Sequence, residues 1–157
     1  MYFGYDGRPP SVCRCRGFYC SLPSLEVVLV SVSDVDRAKT FYAEMVGIHV
    51  DFDSPISEEV RVVQLTPPGS GCSIQVGKGI TDMPPGSLGD LQLVVPDLVA
   101  ARAELVGQVA ETTEIQVYSE DGLRPRREGE SLDNVGFVYF DDPDGNGWTV
   151  QQISSRD

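Results

Sequence analysis

The amino-acid sequence predicts an α+β fold in which two β-α-β-β-β repeats form a curved mixed sheet around a cleft. The order of strand, helix and three strands occurs twice along the chain. Each helix pattern starts at an aspartate directly after a strand, Asp34 or Asp97, and ends at a glycine, Gly47 or Gly107. One helix covers only one face of a four-stranded sheet. Two such repeats therefore pair around a shared interior, and their concave faces make a cleft suited to a small ligand.

The first repeat spans residues 25–77. It begins with LEVVLVSVS over residues 25–33, which is rich in β-branched residues and favours a strand. The helix after Asp34 carries one apolar stripe, made of Val35, Ala38, Phe41, Tyr42 and Met45. Three more strands are predicted at residues 48–53, 59–66 and 72–76, separated by prolines and glycines.

The second repeat spans residues 90–153 and follows the same order. Its strands are predicted at residues 91–95, 113–118, 134–140 and 147–153, and its helix at residues 97–107. The segment SEDGLRPRREGESLD, residues 119–133, reads as a loop with three arginines in an otherwise acidic protein. Together the two repeats make one domain over residues 25–153.

Residues 1–24 show neither helical nor strand periodicity and are expected to be a poorly ordered N-terminal extension. The extension holds Cys13, Cys15 and Cys20. One interpretation of this cluster is a metal or redox tail, but no second cysteine pair or histidine group accompanies it. Free thiols in an extension are the favoured interpretation.

The net charge of the chain excludes two classes of partner. The 157 residues include 24 acidic and 12 basic side chains, for a formal net charge of −12. This charge repels nucleic-acid phosphates and anionic lipid headgroups, so neither nucleic acid nor membrane is an expected partner. No apolar run approaches the roughly 20 residues that span a bilayer, and the N-terminus lacks a signal-peptide pattern. We therefore expect a cytoplasmic protein.

Three stretches carry a resemblance to a known family: VSDVDRAKTFYAEMVGI, VVPDLVAARAELV and DDPDGNGWTVQQI. In this order they resemble the vicinal oxygen chelate superfamily, which includes glyoxalase I, bleomycin-resistance proteins, fosfomycin-resistance transferases and extradiol dioxygenases. The resemblance covers roughly residues 25–153 and implies the two-repeat fold. It does not select a reaction, because this fold supports many chemistries.

For the metal-dependent members, the resemblance implies metal ligands at four positions of this sequence: Val27, Gln75, Asp90 and Thr149. Valine has no donor atom, and a neutral threonine is a poor ligand for zinc, nickel or iron. One amide and one carboxylate remain. The single histidine, His49, falls on the second strand, away from all four positions, and is expected to be exposed. The resemblance thus implies that the usual metal ligands are absent from this sequence, and no cofactor is expected.

The same resemblance suggests candidate ligand contacts in the cleft: Gln75, Asp90, Thr149, Gln151, Tyr139 and Arg124. Strand alternation puts Thr149 and Gln151 on one face and turns Trp148 toward the core. For Gln75 and Gln151, a position in the cleft and a position on a solvated strand face both remain open. Arg124, with its two neighbouring arginines, is placed to bind an anionic ligand or to pair with acids of its own loop, and the second role is favoured.

The leading hypothesis is a small-molecule-binding protein of the sequestration or resistance type, often a homodimer, without a catalytic metal. One alternative is a glyoxalase-like lyase or isomerase, or a dioxygenase-like enzyme, that uses Gln75 and Asp90 as partial metal ligands. A second alternative is a protein-interaction module that docks through its acidic surface or its extension.

Overall fold

The computed structural model describes residues 23–109 and 111–155. The predicted extension, including Cys13, Cys15 and Cys20, lies outside the described residues apart from its last two positions. The elements are β1 (Val27–Leu29), α1 (Val35–Thr40) followed by a π-helical turn (Phe41–Met45), β2 (His49–Pro55), β3 (Arg61–Thr66), β4 (Ser73–Lys78), β5 (Leu91–Val95), α2 (Leu98–Val106), β6 (Gln116–Ser119), β7 (Gly122–Pro125), β8 (Gly136–Asp141) and β9 (Gly147–Gln152).

The strands form one sheet for each repeat, and this confirms the predicted two-repeat fold. The first sheet has the order β1-β4-β3-β2, and the second has the order β5-β9-β8-β6-β7. In both sheets the first strand of the repeat lies parallel to the last strand, while the remaining pairs are antiparallel. Strands β1 and β5 are therefore edge strands at equivalent positions in the two repeats.

Both predicted helix starts are confirmed by their side-chain caps. The Asp34 carboxylate accepts a hydrogen bond from the Arg37 amide, and the Asp97 carboxylate accepts one from the Ala100 amide, each at 3.0 Å. Gly47 follows the π-helical turn with φ +82°, a left-handed conformation that glycine adopts without strain.

Each sheet has an inner face that contributes to the core and an outer face that points away from it. In the first sheet the inner face carries Val63, Leu65, Ile74 and Val76, and in the second it carries Val138, Phe140, Trp148 and Val150, all at most 5% exposed. These residues form one continuous core with Tyr42 of the π-helical turn and Leu98 of α2. The π-helical turn packs against the second sheet, since Phe41 lies near Phe140 and Tyr42 near Trp148, with ring centroids 6.1 and 5.6 Å apart.

The first predicted strand is shorter than expected. Residues 30–32 are buried, yet only Val27–Leu29 belong to β1. The reason is a change of hydrogen-bond partner at Ser31, whose carbonyl accepts from Gly86 N and from Asn146 Nδ2 instead of a neighbouring strand. Val30 N still donates to Gln75 O of β4, while the Ser31 carbonyl is satisfied by the linker between the repeats and by the β8–β9 turn.

The prediction of a simple loop over residues 119–133 is wrong in one part. Residues Gly122–Pro125 form β7, which pairs antiparallel with β6 through Ser119 opposite Gly122. The Asp121-Gly122 pair is a hairpin signal, and Gly122 has φ +100°. The arginines and Pro125 in this segment favoured a loop, whereas the structure has a strand that extends the second sheet.

Candidate functional site

The turn between β8 and β9 is organised by the buried carboxylate of Asp142. Its Oδ1 accepts from the amides of Asp144 and Asn146, and its Oδ2 accepts from Tyr42 Oη at 2.6 Å and Asn146 Nδ2 at 2.7 Å. Trp148 Nε1 donates to Tyr42 Oη at 3.1 Å. Burial, with the bond to Asp142, raises the pKa of Tyr42 far above its usual range, so the hydroxyl remains a donor.

The same turn holds the two repeats together. Asp144 accepts from Ser33 Oγ at 2.5 Å, from Ser33 N at 3.1 Å and from Arg37 Nη2 at 3.2 Å. Asn146 is fully buried; it donates to Ser31 O at 2.9 Å and accepts from Leu88 N at 3.1 Å. The turn of the second repeat therefore binds the β1–α1 connection of the first repeat.

The outer face of the first sheet carries a connected row of polar side chains. Gln75 Nε2 donates to Gln64 Oε1 at 2.9 Å, and Gln64 Nε2 donates to Asp51 Oδ2 at 3.1 Å. The β1–β4 register puts Val27 opposite Ser73 and Leu29 opposite Gln75, so Val27 and Gln75 share this face. The Nε2 donor of Gln75 is thus already engaged by a neighbour.

The outer face of the second sheet brings together four of the predicted residues. The register aligns Tyr139 with Thr149, and alternation along β9 puts Gln151 on the same face. Asp90 comes immediately before β5. Burial, and secondarily the charge of the Asp90 carboxylate, raises the pKa of Tyr139.

Arg124 lies apart from these residues. Gln116 of β6 lies opposite Pro125 of β7 and opposite Phe137 of β8, so Pro125 is on the same face of the sheet as Tyr139 and Thr149. Arg124 is next to Pro125 in β7 and therefore points to the opposite face. Its guanidinium forms an ion pair with Glu130. This pair lowers the pKa of Glu130 to about 2 and matches the loop pairing that the sequence favoured. Arg124 is therefore left out of the site.

A cavity of about 530 Å³ lies where the two repeats meet, and we call it the seam cavity. Its lining consists of Leu25, Val28, residues 67–70, residues 72–74, residues 90–94 and Trp148. Asp90 is the one charged side chain among these lining residues. Of the six predicted contacts, only Asp90 belongs to the lining; Gln75, Thr149, Tyr139 and Gln151 do not.

The sequence patterns predicted few of the residues that line the seam cavity. Trp148 is 4% exposed and bonded to Tyr42, which confirms its predicted place in the core, yet it also forms part of the cavity wall. The loop of residues 67–70, Pro-Pro-Gly-Ser, was read only as a break between strands. Prolines and a glycine mark a turn, and nothing local in these four residues indicates that the turn lines a cavity.

The donor set at the four metal positions does not fit a catalytic divalent ion. Val27 supplies no donor, Gln75 supplies only a neutral amide oxygen, and Thr149 is 9% exposed and neutral. Asp90 is the single carboxylate of the four. Within residues 23–109 and 111–155, no three His, Cys, Asp or Glu side chains are grouped to hold a metal, and His49 is exposed as expected.

The fold and these motifs define a family. The model of the Glyoxalase/Bleomycin resistance protein/Dioxygenase superfamily matches residues 24–150, and the chain belongs to this superfamily. No curated protein sequence matches the chain significantly.

Three solved structures illustrate the similarity. TnmS3, an antibiotic binding protein from Streptomyces sp. CB03234, is 28% identical with a TM-score of 0.66, over 87% of this chain and 100% of that one. A glyoxalase/bleomycin resistance protein from the same strain is 29% identical with a TM-score of 0.62, over 82% and 100%. A superfamily member from Sphaerobacter thermophilus DSM 20745 is 22% identical with a TM-score of 0.65, over 83% and 98%, and shares the fold.

None of the helices in the described part of the chain is both long and apolar enough to cross a membrane.

Proposed function

We propose that the protein binds a small organic molecule in the seam cavity and acts by holding it, as a sequestration or resistance protein does, without a catalytic metal. The observation that carries this proposal is the cavity between the repeats. Its volume of about 530 Å³ falls within the roughly 300–1,000 Å³ typical of small-molecule sites. Likeness to an antibiotic binding protein at 28% identity supports the same class of function.

The lining indicates the chemistry of the ligand. Leucine, valine, proline and isoleucine side chains with the Trp148 ring form most of the wall, which suits a bulky apolar body. Asp90 and Gln92 supply polar contacts on one side, and Asp90 favours a hydrogen-bond donor or a positive group. A molecule with a carboxylate or phosphate as its main polar group would meet no cation in this lining.

The outer-face residues are proposed as secondary contacts. A ligand that extends past Asp90 along the second sheet reaches Thr149, Tyr139 and Gln151. A ligand that extends past Ser73, which lines the seam cavity, reaches Gln75 on the same face of the first sheet. These contacts would tune selectivity around a cavity that provides most of the buried area.

Ligand binding in the seam cavity is tested with N-phenyl-1-naphthylamine, a neutral aromatic probe that fluoresces in apolar surroundings. We expect the wild-type chain to bind it and Leu25→Arg to weaken binding by about tenfold, which corresponds to about 1.4 kcal/mol. Leu25 is 68% exposed at the cavity, so the arginine obstructs the opening without disturbing the core.

Ile56→Arg is the matched control for this experiment, because Ile56 is also 68% exposed but does not line the cavity. It should bind the probe like the wild type. Equal affinities of the two arginine variants for the probe would show that the probe does not bind in the seam cavity. Competition with bleomycin and other bulky antibiotics then narrows the ligand class.

Native mass spectrometry tests the metal-free and homodimer proposals together. We expect the dialysed protein to have the mass of two chains with no divalent metal, since one carboxylate and one neutral amide oxygen bind such an ion weakly. A Val27→His, Thr149→Glu double variant restores two donors and serves as the positive control. One Ni, Zn, Fe or Mn ion per wild-type chain would instead favour the enzyme alternative.

A further inference from the structure

A second cavity lies on the inner side of the second sheet, away from the outer faces. It has a volume of about 210 Å³, is open to solvent on one side, and is lined by the end of the π-helical turn, α2 and strands β5, β8 and β9. We call it the helix cavity. Its lining consists of Glu44, Met45, Val46, Gly47, Leu93, Val95, Ala101, Glu104, Leu105, Gln108, Phe140 and Val150.

The sequence makes this space in two ways. Helix α1 ends in a wide turn, in which Val46 N donates to Phe41 O at 3.1 Å and Ile48 N donates to Tyr42 O at 2.8 Å. A π-helical turn of this kind takes one extra residue and occurs frequently at functional sites. On the facing helix, Ala101 presents only a methyl group. A wide turn opposite a small side chain leaves a gap over the sheet.

The floor and the rim of the helix cavity differ in chemistry. Leu93, Val95, Phe140 and Val150 form an apolar floor from three strands. The polar members, Glu44, Glu104 and Gln108, are all exposed, and they form the rim. The cavity therefore has an apolar interior and two carboxylates where it meets solvent.

Two cations on the helices beside this rim are paired with other acids. Lys39 on α1 pairs with Asp53, and Arg102 on α2 pairs with Glu114. Among the described residues, neither Glu44 nor Glu104 takes part in an ion pair. Two carboxylates that form no ion pair with the described residues, above an apolar floor, attract a positive group that carries a short hydrophobic body.

We propose that the helix cavity is a second binding site, selective for small organic cations with one ammonium group and an apolar body about the size of a benzene ring. The ring rests on the floor beside Phe140, and the ammonium lies between Glu44 and Glu104. The small volume excludes the bulky ligand proposed for the seam cavity. The two cavities share only Leu93 in their linings, so each site is tested on its own.

The test uses three probes with the same aromatic body: 2-phenylethylamine, 2-phenylethanol and phenylacetate, titrated into ¹⁵N-labelled full-length protein and followed by amide chemical shifts. We expect the amine to shift amides of residues 44–47 and 101–108 and to bind about fivefold more tightly than the alcohol, given the modest strength of exposed charge pairs. Phenylacetate should bind most weakly because the rim repels it.

Two sets of variants test whether the rim carboxylates and the space beside Ala101 account for the binding of the probes. Glu44→Gln with Glu104→Gln should remove the preference for amine over alcohol, whereas Glu120→Gln with Asp121→Asn, the same charge change in the β6–β7 turn, should keep it. Ala101→Leu should weaken all three probes by filling the space. The spectra also report whether each variant is folded.

Several outcomes would overturn the second site: no shifts at residues 44–47 and 101–108, equal binding of amine and alcohol to the wild type, or an amine preference that survives the double glutamine change. Leu25→Arg should leave these titrations unchanged. Failure of the seam cavity and failure of the helix cavity can therefore be told apart.

Discussion

Tyr42→Phe is expected to lower the free energy of unfolding by about 2–4 kcal/mol. The substitution removes one oxygen from a buried site and leaves the rings in place. That oxygen donates to the Asp142 carboxylate at 2.6 Å and accepts from Trp148 Nε1 at 3.1 Å. Without it a buried carboxylate loses a donor and a buried indole N–H loses its acceptor, and both losses favour the unfolded state.

Urea unfolding of the wild type and the variant measures this difference. Tyr118→Phe is the matched control, since Tyr118 is 63% exposed and the same change there should cost less than about 0.5 kcal/mol. Trp148 is the single tryptophan, so its emission reports directly on the loss of the hydroxyl acceptor. A Tyr42→Phe protein as stable as Tyr118→Phe would show that the Asp142 network contributes little.

Gly86→Ala is expected to destabilise the protein by about 3–5 kcal/mol, in the range of severe single substitutions. Gly86 has φ +75°, where an L side chain is strained. A Cβ at this position would also lie 2.0 Å from the carbonyl oxygen of Asp144. The added methyl group would therefore push the β8–β9 turn away from Ser33 and Arg37, which it holds through the Asp144 carboxylate.

A second glycine serves as the control that separates backbone strain from a steric clash of the added Cβ. Gly69 has a similar φ of +78°, but a Cβ there meets no atom within 4 Å. Gly69→Ala should therefore cost only the backbone strain, about 1 kcal/mol. Thermal or urea unfolding of both variants gives the comparison. Equal losses would mean that the contact between Gly86 and the turn does not hold the repeats together.

The sequence predicted most of the elements because their signals are local. Asp34 and Asp97 mark the helix starts within one residue, and Gly47 lies two residues after Met45, where the π-helical turn ends. Strand β5 was predicted with its observed bounds, since LQLVV stands between clear breaks. Strand β7 was missed because Arg124 and Pro125 outweighed the Asp121-Gly122 signal in the pattern.

The site was harder to predict because it depends on distant partners. Alternation placed Thr149 and Gln151 on one face correctly, but it could not show that the cavity opens at the strand edges. Nor could it show that Arg124 faces the other side, since that follows from the pairing of β6 with β7 and β8. The Tyr42–Asp142 bond joins residues 100 positions apart, and no local period reports such a contact.

The 100 residues between Tyr42 and Asp142 affect how the chain folds during its synthesis. Tyr42 leaves the ribosome 100 residues before Asp142, which at about 5–20 residues per second is an interval of roughly 5–20 s. During this time the apolar stripe of helix α1 has no second sheet to cover it. The nascent first repeat thus offers a binding surface for chaperones, and its final packing takes place only after the last strand has been synthesised.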